Sequence, residues 1–245
     1  MSDSTDPGRN ITAVTFDFWN TLVAEGGAGP HRSQRWAEAC TAAGHPLDIE
    51  QLERAMTDLW QWFVGQWEGN VVVSPRQAVL QAVDLLGVPP EAGLLDELES
   101  VLHEGTDPAQ MTIAAGIGET LDALRGSGVR LGIICDVGLS PSTTLRSYLS
   151  HHGLLEHFDG WSFSDEVGCY KPDARIFAHA ADTLGGANPA CTAHVGDLRR
   201  TDVAGARDAG WLAVRYRGLF DDQAELPDAD LVIDDHRDLA TALGR

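Results

Sequence analysis

Three aspartates follow short apolar runs of the sequence, where enzymes built on parallel sheets place reactive groups. Asp17 follows the apolar residues 11–16. Asp197 follows residues 191–195, and Asp202 comes shortly after it. The carboxyl ends of parallel strands share one edge of a sheet, so the three carboxylates are expected to converge. Converging carboxylates repel one another unless a cation lies among them. Oxygen ligands without a histidine or cysteine cluster favour Mg²⁺, which binds phosphate oxygens.

Lys171 is the only lysine in the chain, and it lies just after a predicted short strand. Its ammonium is a point charge suited to an anionic substrate group and to a carboxylate nucleophile. An aspartate can act as that nucleophile and form an aspartyl-phosphate or an aspartyl ester. Cys135 ends another apolar run and is expected at the same edge of the sheet. These residue types indicate nucleophilic chemistry on an anionic substrate.

The elements that must position these residues alternate between strand and helix patterns after residue 112. Strands are predicted at residues 11–16, 129–134, 160–163, 191–195, 212–216 and 231–233. Helices are predicted at residues 117–125, 140–152, 176–184, 203–209 and 236–243. Strands that alternate with helices of this length imply βαβ units and a mostly parallel sheet. The predicted fold class is therefore α/β.

A different pattern separates the first strand from residue 112. A glycine-rich linker is predicted at residues 24–30, able to act as a hinge. It is followed by apolar residues at helical spacing, which predict helices at residues 31–43, 49–67, 74–86 and 90–104. Four tryptophans of this helical insert are expected to pack its interior, namely Trp36, Trp60, Trp62 and Trp67.

The composition limits the class of protein and its partners. The 245 residues suit one large domain or a core with a smaller insert. The formal net charge of −20 at pH 7 makes nucleic acids and anionic membranes poor partners. Residues 1–9 indicate a disordered tail rather than a signal peptide, and no apolar run reaches the roughly 20 residues of a membrane helix. Four scattered cysteines indicate reduced thiols, so a cytoplasmic location is predicted.

Four short motifs occur in order at the predicted strand ends: Phe16-Asp17-x-x-x-Thr21-Leu22, Ile133-Ile134-Cys135, Tyr170-Lys171-Pro172-Asp173 and Val195-Gly196-Asp197-x-x-x-x-Asp202. In this order they resemble the four motifs of the haloacid dehalogenase-like superfamily of hydrolases. The resemblance extends along nearly the whole chain. It implies a Rossmann-like core at residues 10–24 and 112–245 and an inserted α-helical cap of the C1 type at residues 25–111.

The resemblance implies specific roles in the Mg²⁺-dependent phosphatases of the family. Asp17 would attack phosphorus as the nucleophile, and Lys171 would hold the phosphoryl group and Asp17. Mg²⁺ would bind Asp17, Asp197 and the backbone carbonyl of Trp19. Asp202 would support the water shell of the metal or orient Lys171.

The remaining predicted site residues flank the same strand ends. Cys135 takes the catalytic position at which the family's second motif has Ser or Thr, although a thiol is a weaker hydrogen-bond donor. Four residues beside the reactive groups are expected to contact the substrate: Trp19, Asn20, Thr21 and Asp136.

Trp19 is the main departure from the family pattern. Most family phosphatases have a second Asp at this position, which protonates the leaving group and later activates water. An indole N–H is only a donor and cannot act as an acid at ordinary pH. Loss of a general acid–base typically costs about 10²–10⁴ in rate. Acyl phosphates and anhydrides need that proton least.

Three functions are therefore open. The motifs favour a Mg²⁺-dependent phosphohydrolase that acts on a phosphorylated small molecule through an aspartyl-phosphate at Asp17. A 2-haloacid dehalogenase is the second, since family dehalogenases also lack an Asp at the position of Trp19; the pair Asp197 and Asp202 argues against it. A binding protein with a catalytically impaired site is the third. A phosphonoacetaldehyde hydrolase is excluded, because its Schiff-base lysine lies in the cap and this cap contains no lysine.

Overall fold

The computed structural model describes residues 10–25 and 31–244. The predicted tail at residues 1–9 and most of the predicted linker at residues 24–30 lie outside the described residues. The strands are β1 (Ala13–Phe16), β2 (Val23–Glu25), β3 (Met111–Ile113), β4 (Arg130–Cys135), β5 (Gly160–Phe163), β6 (Thr192–Gly196), β7 (Leu212–Tyr216) and β8 (Leu231–Ile233). The helices are α1 (His31–Ala42), α2 (Ile49–Glu68), α3 (Pro75–Leu86), α4 (Ala92–Glu104), α5 (Ile117–Gly126), α6 (Ser142–His151), α7 (Ser164–Val167), α8 (Ala174–Thr183), α9 (Ala204–Asp208) and α10 (Arg237–Ala242).

Six of the strands form one sheet in the order β5-β4-β1-β6-β7-β8, and all of its neighbouring strands are parallel. The connections that lead to β4, β5, β6 and β7 contain helices, as crossovers between parallel strands usually do, whereas residues 217–230 join β7 to β8 without one. The predicted α/β fold class with a Rossmann-like parallel sheet is confirmed.

The central strands are buried along their whole length. Every residue of β1 and β6 is buried, and so are the last five residues of β4. A parallel sheet that is covered on both faces selects continuous apolar runs of this kind. The buried polar residues of β1 and β6 are Thr15, Thr192 and His194, and Thr15 and His194 are direct neighbours in the strand register.

The chain divides into two compact units. The core unit contains the described residues of 10–24, 112–136 and 149–244, and the helical unit contains those of 25–111 and 137–148. The predicted boundaries placed residues 137–148 with the core, and the structure differs there. Local contacts explain the difference, because the Tyr148 hydroxyl accepts a hydrogen bond from the Thr106 N–H at 2.8 Å. The Thr144 hydroxyl also donates to the His103 carbonyl.

Local sequence signals delimit the helices of the helical unit. Asp48 caps the start of α2 by accepting a hydrogen bond from the Gln51 N–H. Ser74 and Gln77 form a reciprocal capping box at the start of α3, with a proline as its first residue. Gly87 ends α3 in the left-handed conformation, at φ 68°.

The tryptophans of the helical unit do not all pack its interior. Trp36 is fully buried, which agrees with the prediction, but Trp60 is 56% exposed. Trp62 and Trp67 are partly buried. The prediction was wrong for Trp60 because this residue does not lie on the buried face of α2. That face is formed by Leu52, Ala55, Leu59 and Phe63.

Candidate active site

Three adjacent strands of the core unit bring the reactive groups to one edge of the sheet. Phe16 pairs with Ile133 on one side and with Val195 on the other, so β1, β4 and β6 end together. Asp17 follows directly, and its backbone N–H donates to the Val195 carbonyl at 2.8 Å. The register of the central strands therefore carries Asp17 to the same edge as Cys135 and Asp197.

Lys171 links two of the predicted carboxylates. Its Nζ donates to Oδ1 of Asp17 at 2.5 Å and to Oδ1 of Asp202 at 2.6 Å. A third hydrogen bond goes to the backbone carbonyl of Ile134 at 3.1 Å. The lysine is only 2% exposed, so its charge is balanced by these carboxylates rather than by water. Both neighbouring carboxylates keep the pKa of Lys171 above its usual value against the opposing effect of burial.

Asp136, which the sequence predicts to contact the substrate, accepts a hydrogen bond from the backbone of Lys171. Its Oδ1 accepts the backbone N–H of Lys171 at 2.9 Å. Asp136 directly follows β4, so this bond ties the loop that carries Lys171 to the end of the sheet.

Asp17, Asp197 and Asp202 form a buried acidic cluster. One carboxylate oxygen from each lies within 4.8 Å of the others. Burial, reinforced by the charge of Asp202, raises the pKa of Asp17 to about 7. Burial and the charge of Asp17 raise the pKa of Asp197 well above its usual value. Ionisation of these two buried carboxyls is unfavourable without a nearby positive charge. A hard divalent cation would supply that charge, and carboxylate oxygens are ligands that it prefers.

Asp202 is ionised more readily than its neighbours. Burial opposes its charge, but Lys171 and His194 outweigh burial and lower the pKa of Asp202 below its usual range. Oδ2 accepts hydrogen bonds from the Leu198 N–H at 3.0 Å and from the Thr201 hydroxyl at 3.3 Å. Asp202 is therefore a carboxylate anion, and both of its oxygens accept hydrogen bonds.

The segment after β6 explains how Asp202 reaches the cluster. The residues Arg199–Val203 form a π-helical turn that begins two residues after Asp197. A Cβ atom at position 196 would overlap the side chain of Asp202, so only glycine fits at Gly196. The Gly-Asp pair of the fourth motif thus supplies one candidate ligand and makes room for another carboxylate.

The loop after Asp17 carries three of the predicted substrate-contact residues. Trp19 and Asn20 are partly buried, and Asn20 has a positive φ of 55°. Thr21 is fully buried, and its hydroxyl lacks a hydrogen-bond partner among the described residues. The contact of the Thr21 side chain with a substrate stays a prediction. Its carbonyl accepts a hydrogen bond from Nε2 of His236 at 2.7 Å.

Cys135 is the last residue of β4 and is completely buried. Burial, together with the charge of Asp17, raises the pKa of its thiol well above the usual value. The side chain is consequently a neutral S–H group, a weak donor and not a nucleophile.

Two histidines that were not predicted from the sequence support this site, His194 and His236. Nε2 of His194 lies 3.0 Å from Oδ1 of Asp202. A sequence signal for His194 existed, because it is a titratable residue within a mostly apolar strand, two residues before the Gly-Asp pair. His236 offered no comparable signal, since it contacts the Thr21 loop from the far end of the chain.

The core unit is a parallel α/β sheet with a lysine-bridged aspartate cluster at its carboxyl edge. The family model described as haloacid dehalogenase-like hydrolase matches residues 11–210. The chain belongs to this family of hydrolases, and the resemblance inferred from the four motifs is confirmed.

Individual relatives agree with this assignment. A mouse haloacid dehalogenase-like hydrolase domain-containing protein 3 is 28% identical over 177 residues, which are 72% of this chain and 63% of the relative. This chain therefore spans less than two thirds of that relative. A glyceraldehyde 3-phosphate phosphatase of Methanopyrus kandleri is 29% identical over 224 residues, 90% of this chain and 91% of the relative.

Solved structures show the same fold. The 2-haloacid dehalogenase of Pseudomonas syringae superposes with a TM-score of 0.67 at 23% identity, covering 96% of this chain and 99% of the other. Within the part of the chain that the structure describes, no helix is long and apolar enough to cross a membrane.

Proposed function

We propose that this hydrolase is a phosphohydrolase that works through an aspartyl-phosphate at Asp17. The observation that carries the proposal is the buried ion pair of Lys171 with Asp17, set beside the carboxyl of Asp197. The lysine holds the nucleophile in place and adds positive charge where a phosphoryl group would bind. The similarity along most of the chain to a protein named glyceraldehyde 3-phosphate phosphatase supports the same class of reaction.

The chemistry follows from the residues of the core unit. A carboxylate oxygen of Asp17 forms a bond to phosphorus while the bond from phosphorus to the leaving oxygen breaks. The leaving oxygen departs with the electron pair of that bond and takes a proton from solvent. Water then attacks the phosphorus of the aspartyl-phosphate, which releases inorganic phosphate and restores the Asp17 carboxylate. Lys171 stabilises the negative charge in both steps.

The acidic cluster fits Mg²⁺ as the metal. Asp17, Asp197 and the backbone carbonyl of Trp19 are the groups that we propose hold it. Such an ion neutralises charge on the phosphoryl oxygens and orients the substrate. Lys171 alone cannot balance three carboxylates and an incoming phosphate, which is the electrostatic reason for expecting a divalent cation.

We also propose that the helical unit is the cap of the family and selects a small phosphorylated molecule. Helices α1–α4 provide this unit with a core of its own, in which Trp36, Leu52 and Leu98 are fully buried. None of the four catalytic motifs lies in it.

A dehalogenase is the second candidate, and Trp19 is the observation that favours it. Halide needs no proton when it leaves, so a 2-haloacid dehalogenase would not miss the acid that Trp19 replaces. The buried carboxyl of Asp197 favours the phosphohydrolase, because a second carboxyl beside Asp17 is suited to holding a metal ion, which the displacement of halide does not need.

Phosphate release measured with and without Mg²⁺ tests the proposal. We expect Mg²⁺-dependent turnover of acetyl phosphate and p-nitrophenyl phosphate, whose leaving groups need little protonation. An alkyl phosphate should react about 10²–10⁴-fold more slowly, as the missing general acid predicts. Asp17→Asn should abolish turnover of every phosphate, because the amide is not a nucleophile.

Chloride release from 2-chloropropionate, measured on the same samples, separates the candidates. Chloride release without phosphate release would contradict the phosphohydrolase and establish the dehalogenase. Metal binding without release of either product would identify a binding protein.

A further inference from the structure

A buried row of polar side chains runs from the centre of the sheet to the lysine of the site. Thr15 and His194 are neighbours on β1 and β6, and their Oγ1 and Nδ1 atoms are 2.8 Å apart. Nε2 of His194 lies 3.0 Å from Oδ1 of Asp202, and the same oxygen accepts from Lys171 at 2.6 Å. Thr15, His194 and Asp202 are each at most 1% exposed. The row is therefore shielded from bulk solvent.

The chemistry of the partners determines where the protons lie. A carboxylate only accepts hydrogen bonds, so Nε2 of His194 must carry the proton that it shares with Asp202. In a neutral imidazole Nδ1 is then an acceptor, and the Thr15 hydroxyl donates to it. Both ring nitrogens are used, so the imidazole plane has one orientation.

We propose that His194 is a positioning residue for Lys171, acting through Asp202. The imidazole holds the Asp202 carboxylate so that Oδ1 faces the ammonium, and the ammonium in turn is held against Asp17. The kinetic consequence of this arrangement rests on the phosphohydrolase function proposed above. The arrangement itself does not.

The hydrogen bonds of Asp202 assign that residue to the lysine and not to the metal. Oδ1 accepts from Lys171 and His194, while Oδ2 accepts from the Leu198 N–H and the Thr201 hydroxyl. An ionised carboxylate offers about four acceptor positions, and these donors occupy all of them. Metal coordination would require Asp202 to give up one of these bonds.

A purely structural role for His194 is the alternative. The ring also packs edge-on against Phe177, with centroids 5.4 Å apart, so it contributes to the core. An apolar side chain could provide that packing without the cost of burying polar atoms. The two roles are separable, because packing needs only volume whereas positioning needs an N–H group directed at Asp202.

A pair of variants of similar size separates them. His194→Gln retains an amide N–H that can reach Asp202, and His194→Leu does not. We expect His194→Leu to lower kcat by about 10–100-fold, the usual cost of removing a supporting partner of this kind. His194→Gln should keep most of the activity. The Mg²⁺ concentration for half-maximal rate should be unchanged in both variants, since Asp202 is not a ligand.

A spectroscopic readout tests the same proposal without turnover. Lys171 is the only lysine, so protein grown with ζ-¹⁵N-lysine gives one side-chain resonance. We expect His194→Leu to shift this resonance and to accelerate the exchange of the ammonium protons with water, while His194→Gln leaves both near their wild-type values. His179→Leu is the matched control, because His179 bonds to Ser162 at 2.8 Å through the same ring nitrogen but lies on α8. It should change neither readout.

Each result has a defined meaning once thermal unfolding has shown that the variants fold. A folded His194→Leu with wild-type kcat and an unmoved lysine resonance overturns the proposal. Equal losses in His194→Gln and His194→Leu assign His194 to packing alone, and a changed Mg²⁺ requirement places Asp202 on the metal. If His194→Leu does not fold, Thr15→Val removes only the hydroxyl and should shift the lysine resonance in the same direction. A wild-type protein without phosphatase activity refutes the proposed function, but the resonance still decides the role of His194.

Discussion

The indole of Trp19, two residues after Asp17, packs edge-on against Phe18, with ring centroids 4.9 Å apart. At this position the backbone can still offer a carbonyl to a metal, but the side chain cannot exchange a proton. In the proposed reaction, Asp17 and Lys171 would therefore provide nucleophilic and electrostatic catalysis, with no acidic side chain at position 19 to protonate the leaving group. The residue at position 19 limits the substrates of the proposed reaction to those with good leaving groups.

Trp19→Asp should restore the missing acid–base. We expect turnover of an alkyl phosphate to rise relative to acetyl phosphate, by up to about 10²-fold, since general acid catalysis contributes at least that much in a well-placed group. Trp19→Asn is the control, because an asparagine side chain has the same shape as an aspartate but cannot act as a general acid or base. An equal rise in both variants would show that removal of the indole, and not the new acid, is responsible.

On the scale of secondary-structure elements, β6 and the π-helical turn Arg199–Val203 act together. The strand brings Asp197 to the sheet edge, and the turn folds Asp202 back over Gly196. A regular α-helical start would place the side chains of this turn at a different angle, because the π turn contains an additional residue. The close approach at Gly196 is the cost of fitting two carboxylates after a single strand.

Gly196→Ala should impair the site more than the fold. The added methyl overlaps the side chain of Asp202, which must then move away from Lys171. We expect kcat to fall by about 10-fold or more, with a loss of about 1–3 kcal/mol in the free energy of unfolding. Gly126→Ala at the end of α5 is the control, because no atom lies within 4 Å of its added methyl. Wild-type kinetics of Gly196→Ala would contradict the close packing of Asp202.

On the scale of the core unit, His236 connects the end of the chain to the nucleophile loop. Its Nε2 donates to the Thr21 carbonyl at 2.7 Å, and its ring stacks on Tyr216 at 4.1 Å. Burial lowers the pKa of His236 to about 4, so the buried ring is neutral at physiological pH. The residue that precedes α10 thus holds the loop that follows Asp17, although it lies in none of the four motifs.

Acid should destabilise the fold through His236. The unfolded histidine binds a proton below pH of about 6.5, whereas the folded one does so only near its lowered pKa. Stability is therefore complete above pH 6.5 and falls as the pH drops towards 4. Between pH 7 and pH 5 the loss from this residue should be about 2 kcal/mol.

Urea unfolding of the wild type and of His236→Phe at several pH values measures this loss. The variant lacks the hydrogen bond to Thr21 but cannot titrate, so its disadvantage should shrink by the same amount as the pH falls. A difference in stability that does not change with pH would show that His236 titrates normally in the folded protein.

The reactive residues and most elements were predictable because their signals are local. Strands β1, β4 and β6 are mostly apolar and buried, and caps such as Ser74 and Gly87 delimit the helices. Parallel strands have their carboxyl ends at one edge, so Asp17, Lys171 and Asp197 were predicted to meet without knowledge of the sheet order.

The sequence by itself determined the fold class, the family and the types of reactive side chain. Only the tertiary structure decided which partners hold them, because those partners are distant along the chain. His194 is hydrogen-bonded to Thr15, which lies 179 residues away in the sequence, and His236 to Thr21, which lies 215 residues away. Such pairs depend on strand order and register, which no local pattern encodes. The exposure of Trp60 was decided in the same way, since helical periodicity specifies a face but not what covers it.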